Sequence, residues 1–177
     1  MSPRKNLSEW QKVSGEWKAT PDGAIEGKSS KEGMMLLYKD RYDDKLEFSG
    51  EFEFTADKGA DSNAGLIIRY RPSEDKDYST VVFFKNKKTL SIQQGFSEKK
   101  TEISVSNLKE HNRFLLRMWK NNLQVYLNGT LVGKASTSTL YPVMKGTIGL
   151  GGVGQTPGSV VRFRHLRVRL LTKKFVV

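Results

Sequence analysis

Asn63-Ala64-Gly65-Leu66-Ile67-Ile68-Arg69-Tyr70-Arg71 decides how this chain is read. Apolar and β-branched residues fill its centre, and arginines enter at alternate places at its end, which is the pattern of a β-strand. Alternation sends Leu66, Ile68 and Tyr70 to one side and Ile67, Arg69 and Arg71 to the other. Further on, Tyr126-Leu127-Asn128-Gly129 puts Asn-Gly between two alternating runs. That is a hairpin signal, because both turn positions tolerate positive φ. Together the two stretches predict an all-β chain folded as an antiparallel two-sheet β-sandwich. Its working surface is a polar sheet face rather than a catalytic loop.

Outward from these stretches, short alternating runs recur with turn signals between them. Met35–Tyr38 and Leu46–Thr55 read as strands, with Leu46, Phe48, Phe52 and Phe54 on one face. Gly50 interrupts that face and marks a bulge or a close sheet contact. Leu66–Arg71, Tyr78–Lys85, Thr89–Gln94, Glu102–Val105 and Arg113–Trp119 follow as strands, then Leu123–Leu127, Leu131–Ala135, Thr147–Leu150 and Val160–Leu170. No segment has a sustained 3.6-residue period; Leu108–Asn112 has the length of one helical turn. The predicted organisation is an N-terminal extension at 1–9, one domain over 10–171, and a tail at 172–177.

Composition sets limits. The 177 residues include three Trp, six Tyr and nine Phe, enough to fill one two-sheet core. No window holds the roughly 18 apolar residues of a membrane helix, so membrane insertion is not expected. Met1–Asn6 lacks the apolar run of a secretory signal. That leaves a cytoplasmic protein or one whose export signal has been removed. The absence of Cys excludes disulfides, thiolate zinc sites and a Cys nucleophile. The net charge of +11 favours anionic partners. Its simpler account is a solvated Lys-rich surface, since Lys58, Lys76, Lys87, Lys88, Lys99, Lys100 and Lys120 fall in turn-like places.

The order of the motifs resembles that of the concanavalin A-like, or laminin G-like, jelly rolls. It is most similar to the 3-keto-disaccharide hydrolase family. Trp10 and Trp17 precede a turn at Asp22–Ile25, and the family's N-S-G-x-x-x-R strand corresponds to Asn63–Arg69. His111-Asn112 stands for the family's Trp-Asn, Leu127-Asn128-Gly129 for its L-N-G turn, and Gly146–Leu150 for G-x-I-G-L. Phe163–Val168 matches its closing strand. The resemblance implies a jelly roll with polar groups on a concave sheet. The family's Tyr-Glu-x-Gln corresponds to Tyr78-Ser79-Thr80-Val81, so Ser79 replaces the Glu and Val81 the Gln. Gly151 and Val125 stand where Gln and His are common. Without a carboxylate or imidazole at the centre, acid/base capacity is small. The catalytic reading therefore weakens, and no catalytic residue is assigned.

Candidate ligand residues are Arg69, Arg71, Trp119, Tyr126, Gln124 and Tyr78. An Arg fork can hold a carboxylate, a sulfate or paired hydroxyls. The bland role for Arg69 is an ion pair with Glu51 or Glu53. An aromatic ring can stack on a pyranose while an amide fixes hydroxyls; the bland role for Trp119 and Tyr126 is packing. Arg162, Arg164, Arg167 and Arg169 form a basic stripe, able to bind phosphate or sulfate or, on an outer strand, to discourage edge pairing. Asp57, Asp61 and Asn63 offer oxygen ligands of the calcium kind. His111 and His165 are far apart in sequence and form no zinc spacing. No metal or other cofactor is expected.

The leading expectation is a non-catalytic carbohydrate-binding module for acidic or hydroxyl-rich saccharides on the concave sheet. The alternatives are a sugar-active hydrolase or lyase, and a scaffold domain of a larger protein. The expected partner is an oligo- or polysaccharide, anionic in the first reading. Nucleic acid is disfavoured, because no recognition helix or interleaved aromatic pattern is present.

Overall fold

Alternation of apolar and polar side chains runs through the chain, and nearly all of it becomes strand. A computed structural model describes residues 7–42, 45–56, 62–70, 79–94, 100–120, 122–136, 146–152 and 156–173. After a 3₁₀ turn at Leu7–Glu9 come β1 (Trp10–Ser14), β2 (Glu16–Ala19), β3 (Ile25–Lys28), β4 (Met34–Tyr38) and β5 (Lys45–Ala56). Next are β6 (Asn63–Tyr70), β7 (Ser79–Phe84), β8 (Thr89–Gln94) and β9 (Lys100–Ser104). Last are β10 (His111–Trp119), β11 (Asn122–Leu127), β12 (Thr130–Ser136), β13 (Thr147–Gly152) and β14 (Val160–Leu170).

The strands form two antiparallel seven-stranded sheets. The front sheet runs β1-β4-β13-β6-β7-β8-β9 and the back sheet β12-β11-β10-β5-β14-β3-β2. Between them lies one apolar layer, in which Phe48, Phe52, Phe83 and Phe163 are essentially inaccessible to water. Phe52 of the back sheet stacks on Phe83 of the front sheet with ring centroids 5.1 Å apart. Burying rings of this size supplies the main drive for joining the sheets.

Three strands escape the sequence reading. β1, β2 and β3 are short and mostly polar, and their principal core residues are Trp10, Trp17 and Ile25. The chain crosses from front to back sheet between β1 and β2 at Gly15, whose φ is 76°. A Cβ there would sit 2.7 Å from Met34 Cβ. Glycine is needed for this corner.

Gly50 is covered by side chains of the two neighbouring strands of its own sheet, and the bulge falls on the partner strand. A Cβ on Gly50 would lie 2.8 Å from Leu166 Cδ2 and 3.0 Å from the Phe114 ring. Opposite it, β14 carries an extra residue between Arg164 and Arg167, with His165 at φ 52°. The bulge lets Leu166 reach the core. Asn128 and Gly129 have φ of 50° and 84°, the left-handed pair the hairpin signal predicts. The Asn128 side chain also accepts from the Arg113 amide and donates to the Asn107 carbonyl and to Asn112 Oδ1. Asn112 in turn bonds both backbone groups of Lys109. These two family-matched asparagines thus hold the turn before β10. Thr172 and Lys173 follow β14 as irregular chain, and 174–177 lie outside the described residues. Among the described residues no helix is long and apolar enough to cross a membrane.

Candidate functional site

Strand register sets the outer face of the front sheet. Leu37 pairs with Gly149, Gly149 with Ile67, Ile67 with Thr80 and Thr80 with Gln93. The next outward row is Met35, Gly151, Gly65, Val82 and Ser91. Gly149, Gly151 and Gly65 adjoin in these rows, and the side chains of Leu37 and Ile67 close over Gly149, where a Cβ would lie 2.9 Å from Leu37 Cδ2 and 3.3 Å from Ile67 Cβ. The backbones are close: a Cβ on Gly149 would meet the Leu36 carbonyl at 2.7 Å, and one on Gly65 the Gly151 carbonyl at 2.9 Å.

Although they face away from the core, Leu37, Ile67 and Val82 are only 3–4% exposed, and Thr80 and Ser91 are also buried. The outward positions of the central strands are apolar or small, and nearly uncharged. Among the described strand residues, Glu102 on the edge strand β9 is the carboxylate in its register, and it is 2.6 Å from Lys100.

Ser79 and Val81 do not point out of this sheet. Val81 belongs to the core and Ser79 alternates with it, so Thr80 and Val82 are the outward residues of β7. The positions matched to the family's Glu and Gln are one residue out of phase with the outward face, and a one-residue shift reverses every side chain of a strand. The chemical result is unchanged, since Thr80 and Val82 supply neither carboxylate nor amide.

Arg69 departs from simple alternation. β6 has one extra residue against β13 between Ile67 and Tyr70, and Arg69 sits there at φ 61°. An extra residue in the left-handed region turns the side chain off its alternating course. The guanidinium donates to the backbone carbonyl of Lys120, in the β10–β11 turn of the back sheet. Gly146 makes the bulge possible, as a Cβ there would fall 2.6 Å from the Arg69 Cα. Arg69 therefore ties the two sheets at one end and does not stand over the front face, and Glu51 pairs with other residues.

The remaining candidates are distributed differently from the expected concave set. Trp119, Tyr126 and Gln124 are on the back sheet. The Lys45 ammonium lies 5.4 Å from the Trp119 ring and Arg117 lies 5.3 Å from Tyr126. Tyr126 donates to Gln124 Oε1 at 3.1 Å, and Gln124 is buried. Trp119 adjoins the turn that Arg69 reaches, but Tyr126 and Gln124 lie outward on the other sheet. Arg71, Tyr78, Asp57 and Asp61 are outside the described residues. Asn63 is fully buried. Among the described residues no three His, Asp or Glu side chains form a group able to hold a metal.

The outer face of the back sheet is the opposite of the front. Glu47 accepts from Arg117 Nε at 2.7 Å and from Arg169 Nε at 2.8 Å. Glu26 lies 2.8 Å from both Lys18 and Arg162, and Asp22 lies 2.7 Å from Arg164. Glu51 lies 3.1 Å from His111 and from His165, and 3.3 Å from Arg113. Burial alone would raise the Glu51 carboxyl, but hydrogen bonds from His165 and His111 bring it below the usual carboxylate range. Two histidines far apart in sequence thus meet on one carboxylate, a pairing that only strand register could reveal. The arginine stripe of β14 is not on an outer strand either: β14 is paired on both sides, by β5 and β3. Its charges serve cross-strand pairing.

The model of the 3-keto-alpha-glucoside-1,2-lyase-like domain matches residues 3–169. The chain belongs to this family. No curated protein sequence matches it. Among solved structures, this family member is similar to a carbohydrate-binding module from Bacillus subtilis, with TM-score 0.73 and 15% identity over 96% of this chain and 98% of that one. It is also similar to a galectin-like protein of unknown function from Bacillus subtilis, with TM-score 0.70, 11% identity and coverages of 93% and 90%. A Bacillus licheniformis β-glucanase aligns with TM-score 0.67 and 12% identity over 95% and 94% of the two chains. At these identities the likeness is one of fold, and the fold is the jelly roll.

Proposed function

We propose that this family member is a non-catalytic saccharide-binding module whose ligand is neutral and hydroxyl-rich, held on the outer face of the front sheet. The single observation that carries this reading is the apolar outer face that Leu37, Ile67 and Val82 form around Gly149, Gly151 and Gly65. The apolar carbon of Leu37, Ile67 and Val82 is the part of this face that can meet the C–H groups of a sugar ring. Thr80, Ser91 and Gln93 stand in the adjoining register positions as hydroxyl and amide partners. The family name and the Bacillus subtilis binding module with the same fold support a sugar as partner.

The acidic preference expected from sequence finds less support at this face, because the arginines concentrate on the other sheet. Arg69 remains a rim cation beside the Lys120 turn. A lyase or hydrolase reading needs a positioned acid or base. Glu102, at the sheet edge and paired with Lys100, is a poor one.

The test is a glycan array probed with the wild-type chain, Ile67→Ala and Thr80→Ala, with thermal melting of each. A neutral-glycan signal lost in both variants while they stay folded is the expected result. The reading fails if neither variant changes the signal, or if the chain cleaves the glycan it binds.

A further inference from the structure

We propose that the outer face of the back sheet is a second binding surface, one that takes a linear acidic polysaccharide independently of the front-sheet site. The argument begins with how the cations are held. Glu47 is only 8% exposed and fixes Arg117 and Arg169 from beneath. Glu51 does the same for Arg113 and the two histidines. The carboxylates are thus the buried layer and the guanidiniums the outer one: the Arg113 side chain is 81% exposed and that of Arg169 69%. A cation oriented by a buried carboxylate loses less freedom when it meets an anion.

The face also carries more cations than it neutralises. Arg167 on β14 and Lys134 on β12 point outward with no carboxylate partner among the described residues. The cations recur on alternate strands. Arg117 on β10 and Arg169 on β14 flank Glu47 on β5, and Arg113 and Arg164 flank Glu51 in the same way. Strands two apart are separated by about 9.5 Å, near the repeat of a disaccharide in an extended chain. A polymer bearing one uronate or sulfate per disaccharide can cross the strands and meet a guanidinium at each repeat.

Single-stranded nucleic acid fits less well. Such binding needs bare rings on which bases stack. Among the described residues of this face the outward rings are Trp119 and Tyr126, already covered by Lys45 and Arg117.

The experiment compares binding of dextran sulfate, polygalacturonate, neutral dextran and single-stranded DNA across a salt series. The proteins are the wild type, Arg113→Ser/Lys134→Ser/Arg167→Ser, and a control with the same change in charge, Lys12→Ser/Lys31→Ser/Arg41→Ser. Lys134→Glu/Arg167→Glu is included because it disturbs no ion pair described here. The expected result is binding of both acidic polymers and not of neutral dextran. It weakens about tenfold or more in the triple variant and in the Glu variant, but less than about twofold in the control. Equal loss in the triple variant and the control would mean that net charge alone is read, and overturns the proposal. So does absence of binding by the wild type, or tighter binding to DNA than to either polymer.

Discussion

The two sheets share one core and present opposite outer faces. Inward, both contribute large apolar side chains at every second residue, among them Phe52 from the back sheet and Phe83 from the front. Outward, the front sheet offers Gly149, Gly151, Ile67 and Thr80, while the back sheet offers Arg117, Glu47, Arg169 and Glu51. Period-2 patterning fixes only which residues leave the core. What they do outside depends on the neighbours that register supplies. On the back sheet each acid falls beside bases, and cations are left in excess. On the front sheet, small and apolar residues fall together and leave the face nearly uncharged.

The largest effect expected from breaking this contrast is on the front face. Gly149→Val places a side chain against the Leu36 carbonyl and Leu37 Cδ2, where even a Cβ would be at 2.7 and 2.9 Å. It should cost about 3 kcal/mol in urea unfolding and abolish glycan binding. The matching change on the back face is Glu47→Ala, which strips Arg117 and Arg169 of a buried partner. It should cost about 2–3 kcal/mol, toward the lower end of the range for broken buried pairs because both arginines reach water.

Arg69→Ala removes the hydrogen bond between the sheets at the Lys120 turn. A loss of about 1–2 kcal/mol is expected. Arg69→Gly should be less harmful than Arg69→Ala, because glycine accepts the positive φ without the strain that alanine keeps. Equal stabilities would show that backbone conformation at the bulge is immaterial. Retained glycan binding in both would confine Arg69 to its role as a tie.

Glu51→Gln is expected to have a smaller and pH-dependent effect, about 1 kcal/mol at pH 7. The Glu51 carboxyl lies below its ordinary range when folded. Its contribution is therefore complete above the unfolded value of about 4.3, and is lost as pH falls through the lower folded value. The gap between wild type and Glu51→Gln should close in acid; a gap that persists there would exclude charge pairing as its source. The smallest effect belongs to Lys134→Ser, less than about 0.5 kcal/mol by the same measurement, since Lys134 is exposed and has no acidic partner among the described residues.

Much of this fold is legible in sequence where a strand carries several core residues. The run Leu46-Glu47-Phe48, continuing to Phe52 and Phe54, announces β5 and its inward face. Asn128-Gly129 announces the β11–β12 hairpin. The strands that escape, β1 to β3, have too few core residues to form a pattern, so only their docking against neighbours makes them strands. The site is less legible. Arg69 looks like an outward residue by counting, and the bulge at φ 61° undoes the count. Thr80 and Val82 replace Ser79 and Val81 as the outward pair because one residue of phase reverses a strand.

The sequence by itself determined the all-β class, the core faces of the long strands and the Asn-Gly turn, since these follow from local periodicity and residue chemistry. Only the tertiary structure decided that Arg69 reaches Lys120, that His111 and His165 share Glu51, and that the glycines of β6 and β13 adjoin. Each of these depends on pairing between segments distant in the chain, and register is set by packing across the whole sandwich rather than by any one strand.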